Sequence, residues 1–217
     1  MGYYSVVFDL DGTLLNTLDD LANSMNHVLA KHGLPVHAIE RYRYFVGNGM
    51  EKLVRRALPP EIHDEKMVEL FLSEMEKEYN ERWHDVTRAY EGVNELIDNL
   101  DFSGIKMSVL SNKPDQFTKI IIDRNFGLKH FNFVFGAKEG VPKKPDPYLA
   151  LEISRLARIS PSNYLYLGDS GVDMKTANAA GMYAVGATWG FREVDELLEN
   201  GAKTLIHSPM ELVRLLQ

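Results

Sequence analysis

Cysteine is absent from all 217 residues. That absence excludes disulfides, thiolate nucleophiles and zinc–thiolate sites together. No apolar run approaches the roughly 18 residues of a membrane-spanning helix. The N-terminus shows no basic segment followed by an apolar one, so no signal peptide is visible. Met1-Gly2 would suit myristoylation, but that motif wants Ser or Thr at the position held by Val6. Positive charge is also short: 24 Lys and Arg against 31 Asp and Glu leave a formal charge of −7. A nucleic-acid binder would show a basic patch, whereas a phosphate substrate needs only a local positive site. The sequence holds no G-x-x-x-x-G-K-[ST] loop, no G-x-S-x-G elbow and no His-Glu-x-x-His pair. Gly47-x-Gly49 lacks the third glycine of a dinucleotide site and follows no strand. The expectation is a cytoplasmic chain, monomer or homodimer, with no nucleic-acid or membrane partner.

Hydrophobic residues at 45% and charged residues at 25% are ordinary for a globular protein. The length fits one large domain, or a core of about 150 residues with a small second unit. The chain opens on Tyr3, Tyr4, Val6, Val7 and Phe8, a run comfortable only when buried. Asp9, Leu10, Asp11, Gly12 and Thr13 follow at once. Residues i and i+2 of an extended chain point to one side, so Asp9 and Asp11 can converge on one small object. Gly12 permits a backbone turn that a Cβ would forbid. The same residues could also do no more than cap a strand and open a turn.

Further on, Leu18, Leu21, Ala22, Met25, Val28 and Leu29 form one helical face. Asn16 or Thr17 suits its start, and Gly33 and Pro35 its end. Short helices are expected over His37–Phe45 and Met50–Leu58. A long charged one is expected over Asp64–His84, with Met67, Leu70, Phe71, Met75 and Tyr79 as its apolar stripe. Residues 16–84 thus read as all helix. Beyond them the pattern alternates. Strands are expected at Ile105–Leu110, Phe131–Phe135, Tyr164–Leu167, Tyr183–Ala187 and Thr204–Ile206. Helices are expected at Val93–Leu100, Pro114–Phe126, up to Leu156, at Met174–Ala180, Val194–Glu199 and Met210–Leu216. Alternation of this kind predicts an α/β, Rossmann-like parallel sheet with helices on both faces. The core would comprise residues 1–15 and 85–217, and 16–84 would be an inserted helical domain. Trp83, Trp189 and the Met67/Met75 stripe read as packing rather than a cofactor site.

Polar residues collect at the strand ends: Asp9 and Asp11, then Ser111-Asn112, then Gly168-Asp169 with Asp173 four on. Lys143-Lys144-Pro145-Asp146-Pro147 lies between the last two groups. In open parallel sheets ligands bind at the strands' carboxyl ends. Taken in order, Asp9-x-Asp11-Gly12-Thr13, Ser111-Asn112, Lys144-Pro145 and Gly168-Asp169-x-x-x-Asp173 resemble the haloacid dehalogenase superfamily. The phosphatase branch fits, because both Asp9 and Asp11 are present. Val46-Gly47-Asn48-Gly49, Ser111-Asn112-Lys113-Pro114, Lys144-Pro145-Asp146-Pro147 and Trp189-Gly190-Phe191 with Glu196-Leu197-Leu198 are similar to the phosphoglycolate phosphatase subfamily. Many members have an acid where this chain has Asn16.

The resemblance implies a Mg²⁺-dependent phosphatase acting on a small phosphorylated metabolite, 2-phosphoglycolate first, through an aspartyl-phosphate. It implies Asp9 as nucleophile and Asp11 as acid and then base. It implies Mg²⁺ held by the Asp9 carboxylate, the Asp11 backbone carbonyl and the Asp169 carboxylate. Asp173 would hold a metal-bound water or orient Lys144, and Thr13 would support the acids from behind. Ser111 and the Asn112 backbone N–H would grip phosphate oxygens, with Lys144 neutralising their charge. Lys144 is chosen over Lys143 because the family motif places its lysine directly before proline. The helical insert resembles that superfamily's small α-helical cap, with Arg43, Asn48 and Lys52 as leaving-group contacts. The same residues could serve a phosphosugar mutase or a pyrophosphatase, or a silent protein that binds a phosphometabolite without turnover.

Overall fold

The computed structural model describes Gly2–Leu216. Met1 and Gln217, the ends of the expected core and the first residue of the myristoylation test, lie outside the described residues. Strand β1 (Ser5–Phe8) opens the chain, and β2 (Leu15–Asn16) leads into helices α1 (Leu18–Lys31), α2 (Met50–Ala57) and α3 (Glu65–Arg82). The return passes through β3 (Arg88–Ala89), which pairs with β2 as a short ribbon. Then come α4 (Val93–Phe102), β4 (Lys106–Pro114), α5 (Asp115–Asn125), β5 (Phe133–Ala137), α6 (Tyr148–Ala157) and β6 (Tyr164–Gly168). The chain closes with α7 (Gly171–Ala180), β7 (Tyr183–Ala187), α8 (Val194–Glu199) and β8 (Thr204–Ile206). Two compact units result, residues 16–88 and the remainder.

The larger unit is a six-stranded sheet in the order β5-β4-β1-β6-β7-β8, with every pair parallel and helices on both faces. β1 sits between β4 and β6, so both its edges are paired, and the helices cover both its faces. That position explains an unbroken apolar run where a half-exposed strand would alternate: Val6, Val7 and Phe8 are all fully buried. The chain builds outward from β1 through β4 to β5, then crosses to β6 and builds the other way. The strand order therefore reverses beside β1, where such sheets leave a crevice at their carboxyl ends. Phe8 pairs with Val109 on one side and Leu167 on the other, which sets Asp9 one residue past the register.

In the helical unit, the buried side of α3 is Val68, Phe71, Met75 and Tyr79. Leu70, expected in that stripe, is exposed. Positions 68, 71, 75 and 79 keep the 3.6-residue period, and Leu70 falls off it. Asp64 caps α3 by accepting from the Met67 N–H at 3.1 Å. The helix expected over His37–Phe45 is a 3₁₀ segment, Ile39–Tyr44, tied down by Asn26. The Asn26 side chain bonds both the N–H and the C=O of His37 and accepts from the Tyr42 hydroxyl at 2.8 Å. This unit runs on to Arg88 rather than His84. Buried Asp20 of α1 accepts from the backbone N–H groups of Val86 and Thr87, a tie with no apolar signature in the sequence.

Other boundaries moved too. β4 does not end at Ser111-Asn112; it continues to Pro114, with a register shift against β5 between Leu110 and Pro114. A Cβ on Gly136 of β5 would lie 2.6 Å from the Lys113 carbonyl oxygen, so only glycine lets the strands run this close. α7 begins at Gly171, ahead of Met174, because Ser170 and Asp173 form a capping box. The last helix is a 3₁₀ segment, Pro209–Leu215. Among the described residues, no helix is long and apolar enough to cross a membrane.

Candidate active site

Asp9 leaves β1 with its N–H on the Leu167 carbonyl at 2.9 Å. Its Oδ1 accepts from the Leu10 N–H at 2.7 Å and lies 2.8 Å from Lys144 Nζ. Lys144 reaches in from the loop before α6, and its Nζ donates also to Asp173 Oδ1 at 2.7 Å. The Lys144 backbone is gripped on both sides by one side chain. The Asn112 amide accepts from the Lys144 N–H at 3.0 Å and donates to its C=O at 3.1 Å. Lys144 is buried, whereas Lys143 beside it is exposed.

Asp169 follows β6. Its Oδ1 accepts from Thr13 Oγ1 at 3.2 Å and its Oδ2 from the Phe191 N–H at 2.7 Å. Gly12 has φ +88, and a Cβ there would overlap the Asp169 carboxylate. A Cβ on Gly190 would overlap Asp169 from the other direction and lie 2.5 Å from the Gly12 carbonyl oxygen. Two glycines thus let backbone close on this acid. Asp173 Oδ2 accepts from Ser170 Oγ at 2.6 Å, so the cap of α7 also aims the carboxylate that meets Lys144.

Asp9, Asp169 and Asp173 are all buried, and one carboxylate oxygen from each lies within 4.8 Å of the others. Burial raises Asp9 well above the usual carboxylate range, with Asp173 adding to the rise and Lys144 opposing it. Asp169 is pushed up to about 7, first by burial and then by Asp173, while the Phe191 N–H and Arg192 pull it back. Burial alone would lower the Lys144 ammonium, but Asp173 and Asp9 raise it well above its ordinary value. Buried acids held this close repel, and a cation among them removes that repulsion. The donors are all hard oxygens, the set that suits Mg²⁺, Ca²⁺ or Mn²⁺ rather than softer metals. Asp11 is not among these carboxylates and enters the expected ligand set only through its backbone carbonyl.

Ser111 is buried, and its Oγ accepts from the Lys113 N–H at 3.1 Å. Asn48 belongs to the helical unit, where its Oδ1 accepts from Arg56 at 2.8 Å. Arg43 and Lys52 are exposed residues of the same unit. Four residues carried no assigned role in the motifs. Lys113 Nζ lies 2.8 Å from Asp11 Oδ1, with both side chains largely buried. Gly190 and the Phe191 N–H hold Asp169. Trp189, expected only to pack, also donates its Nε1–H to the Thr13 carbonyl at 3.0 Å. Trp189-Gly190-Phe191 stood out in the sequence, but a backbone donor has no residue type to announce it.

A parallel sheet with buried acids gathered where its strand order reverses is the architecture of an α/β enzyme. The chain belongs to the haloacid dehalogenase-like hydrolase family, whose profile matches residues 6–187. It is 36% identical over 190 residues to a phosphoglycolate phosphatase of Pseudomonas putida KT2440, covering 86% of this chain and 70% of that one. A crystal structure described as a predicted phosphoglycolate phosphatase from Haemophilus somnus 129PT matches with TM-score 0.91 and 25% identity, covering 99% of this chain and 98% of that one. A haloacid dehalogenase-like family hydrolase from Streptococcus pneumoniae, 19% identical, shares the fold with TM-score 0.89 over 99% of each chain.

Proposed function

We propose that the chain is a phosphoric monoester hydrolase acting on a small phosphorylated metabolite, with 2-phosphoglycolate the first substrate to test. The observation that carries this reading is the Asp9 carboxylate, fixed at the end of β1 by Lys144 and the Leu10 N–H beside two further buried acids. The names of the relatives support the substrate choice. Asp9 attacks phosphorus and forms an aspartyl-phosphate while the P–O bond to the leaving group breaks. Asp11 gives its proton to the departing oxygen. It then takes one from the water that attacks the aspartyl-phosphate and frees inorganic phosphate. Lys144, the Ser111 hydroxyl and the Asn112 backbone N–H bind the phosphoryl oxygens, and Lys144 stays in place through its contact with Asp173.

The carboxylates of Asp9 and Asp169, with the Asp11 backbone carbonyl, would hold Mg²⁺, and Asp173 with Thr13 would steady them. When bound, the ion offsets the repulsion between carboxylate and phosphate. Residues 16–88 are the cap of such an enzyme and the source of its substrate choice.

A panel of phosphorylated metabolites, assayed for phosphate release with and without Mg²⁺, tests the reading. We expect Mg²⁺-dependent release with 2-phosphoglycolate among the best substrates. Asp9→Asn should lose about 10⁴-fold or more in kcat. Full activity in that variant would sink the nucleophile, and transfer of phosphate to a second hydroxyl instead of water would make the chain a mutase.

A further inference from the structure

We infer that Lys113 is a positioning residue for proton transfer: it fixes the Asp11 carboxyl group so that its proton meets the leaving oxygen. The inference rests on the reading of Asp11 as acid and base given above. Lys113 Nζ lies 2.8 Å from Asp11 Oδ1, and the two side chains are 3% and 12% exposed. A carboxyl group is planar, so holding one oxygen also fixes where the other lies. Asp11 sits on a loop, and a loop side chain left to rotate would spend much of its time misaimed. A misplacement of about 1 Å can cost about a hundredfold in rate.

The anchor of Lys113 is itself built. Its N–H donates to Ser111 Oγ at 3.1 Å, and its C=O accepts from Thr118 Oγ1 at 3.2 Å. Gly136 lets β5 approach that carbonyl, and its N–H bonds Asp115 Oδ1 at 3.0 Å. The shift in β4 between Leu110 and Pro114 falls at this point. Lys144 serves a separate pair, Asp9 and Asp173. Each ammonium therefore has its own acid at the end of β1: Lys144 the nucleophile, Lys113 the proton carrier.

Lys113 keeps its own proton throughout. In the first step the O–H bond of Asp11 breaks as the P–O bond to the leaving group breaks, and the proton ends on the alcohol. In the second, Asp11 recovers a proton from water as the water oxygen bonds to phosphorus and the Asp9–phosphorus bond breaks. Assistance of this kind matters for alkoxide leaving groups and hardly at all for a dinitrophenolate, which departs without a proton. A residue that merely binds phosphate or supports the fold has no reason to distinguish the two.

The experiment measures kcat/KM, which reports steps through the first phosphoryl transfer, for wild type, Lys113→Met, Lys113→Arg and Asp11→Asn. The substrates are the alkyl phosphate turned over best in the panel above and 2,4-dinitrophenyl phosphate. Lys113→Met should lose about 10²-fold on the alkyl phosphate and less than about fivefold on the dinitrophenyl ester. Lys113→Arg, which keeps the charge but moves the donor, should show the same selectivity with a smaller loss, and it carries the test if the Met variant does not fold. Equal losses on both substrates, or no loss, overturn the inference. If Asp11→Asn discriminates between the substrates and neither Lys113 variant does, the inference alone fails. If Asp11→Asn does not discriminate, the role given to Asp11 fails and takes the inference with it.

Discussion

At the scale of single residues, the acids at the end of β1 and β6 are held by unlike means. Asp9 and Asp173 share an ammonium, whereas Asp169 is wedged between backbone at Gly12 and Gly190. Gly190→Ala tests the wedge. The new methyl would overlap Asp169 and press the Gly12 carbonyl, neither of which can move away cheaply. We expect a loss of about 1–3 kcal/mol in urea unfolding, together with weaker activation by Mg²⁺. A variant with wild-type stability and Mg²⁺ response would show that the loops yield. Asp9, Asp11, Ser111, Asn112 and Asp169 could be singled out from sequence as polar residues at strand ends, and Lys144 and Asp173 through the family motifs that the sequence resembles. Lys113 could not be given a role, because where its side chain points depends on an irregular strand. The Phe191 N–H could not either, because every residue but proline carries that donor.

At the scale of elements, apolar runs announced the strands well. β1 and β6 are buried along their whole length, although β1 begins on Ser5 and β6 carries the hydroxyls of Tyr164 and Tyr166. The misplaced boundaries arose where polar contacts or a close backbone approach ended or extended an element against the hydrophobic pattern. The capping box starts α7 early, the close approach of Gly136 accompanies β4 onward through Pro114, and Asp20 carries the helical unit to Arg88. Asp20→Ala probes the last of these. It leaves two backbone N–H groups without their buried acceptor, and we expect a loss of about 2–3 kcal/mol. Asp20→Asn, which keeps an acceptor, should lose less. Urea denaturation of both variants measures the difference, and equal stability for all three proteins would remove Asp20 from the account.

Across the whole molecule, the formal charge of −7 is distributed unevenly, and the end of the sheet holds buried acids in excess of its lysines. That excess makes stability depend on pH and on cations. The folded chain holds the Asp169 proton up to about pH 7, whereas an unfolded Asp releases it near 4. More protons are bound in the folded state across that interval, so Asp169 favours folding at low pH. The contribution is lost as pH rises through about 7. Without divalent cations, the wild-type Tm should therefore fall relative to that of Asp169→Asn between about pH 5 and pH 8. Mg²⁺ added at pH 8 should raise the wild-type Tm and leave the variant nearly unchanged. A difference in Tm that does not vary with pH would mean that Asp169 is ionised throughout.

The clamp of Asn112 on Lys144 has a consequence for the loop that carries the lysine. A carboxamide that bonds an N–H and a C=O reads only peptide groups, which every residue but proline supplies alike. The aim of the ammonium is thus uncoupled from its neighbours' side chains. Lys143 faces solvent and can change without moving the charge that the phosphate would meet, whereas the Asp146 carboxylate accepts from the Tyr148 N–H at 2.8 Å and holds the start of α6. Substitution should therefore be tolerated at Lys143, next to Lys144 in the chain, while Asn112, more than thirty residues away, stays unchanged.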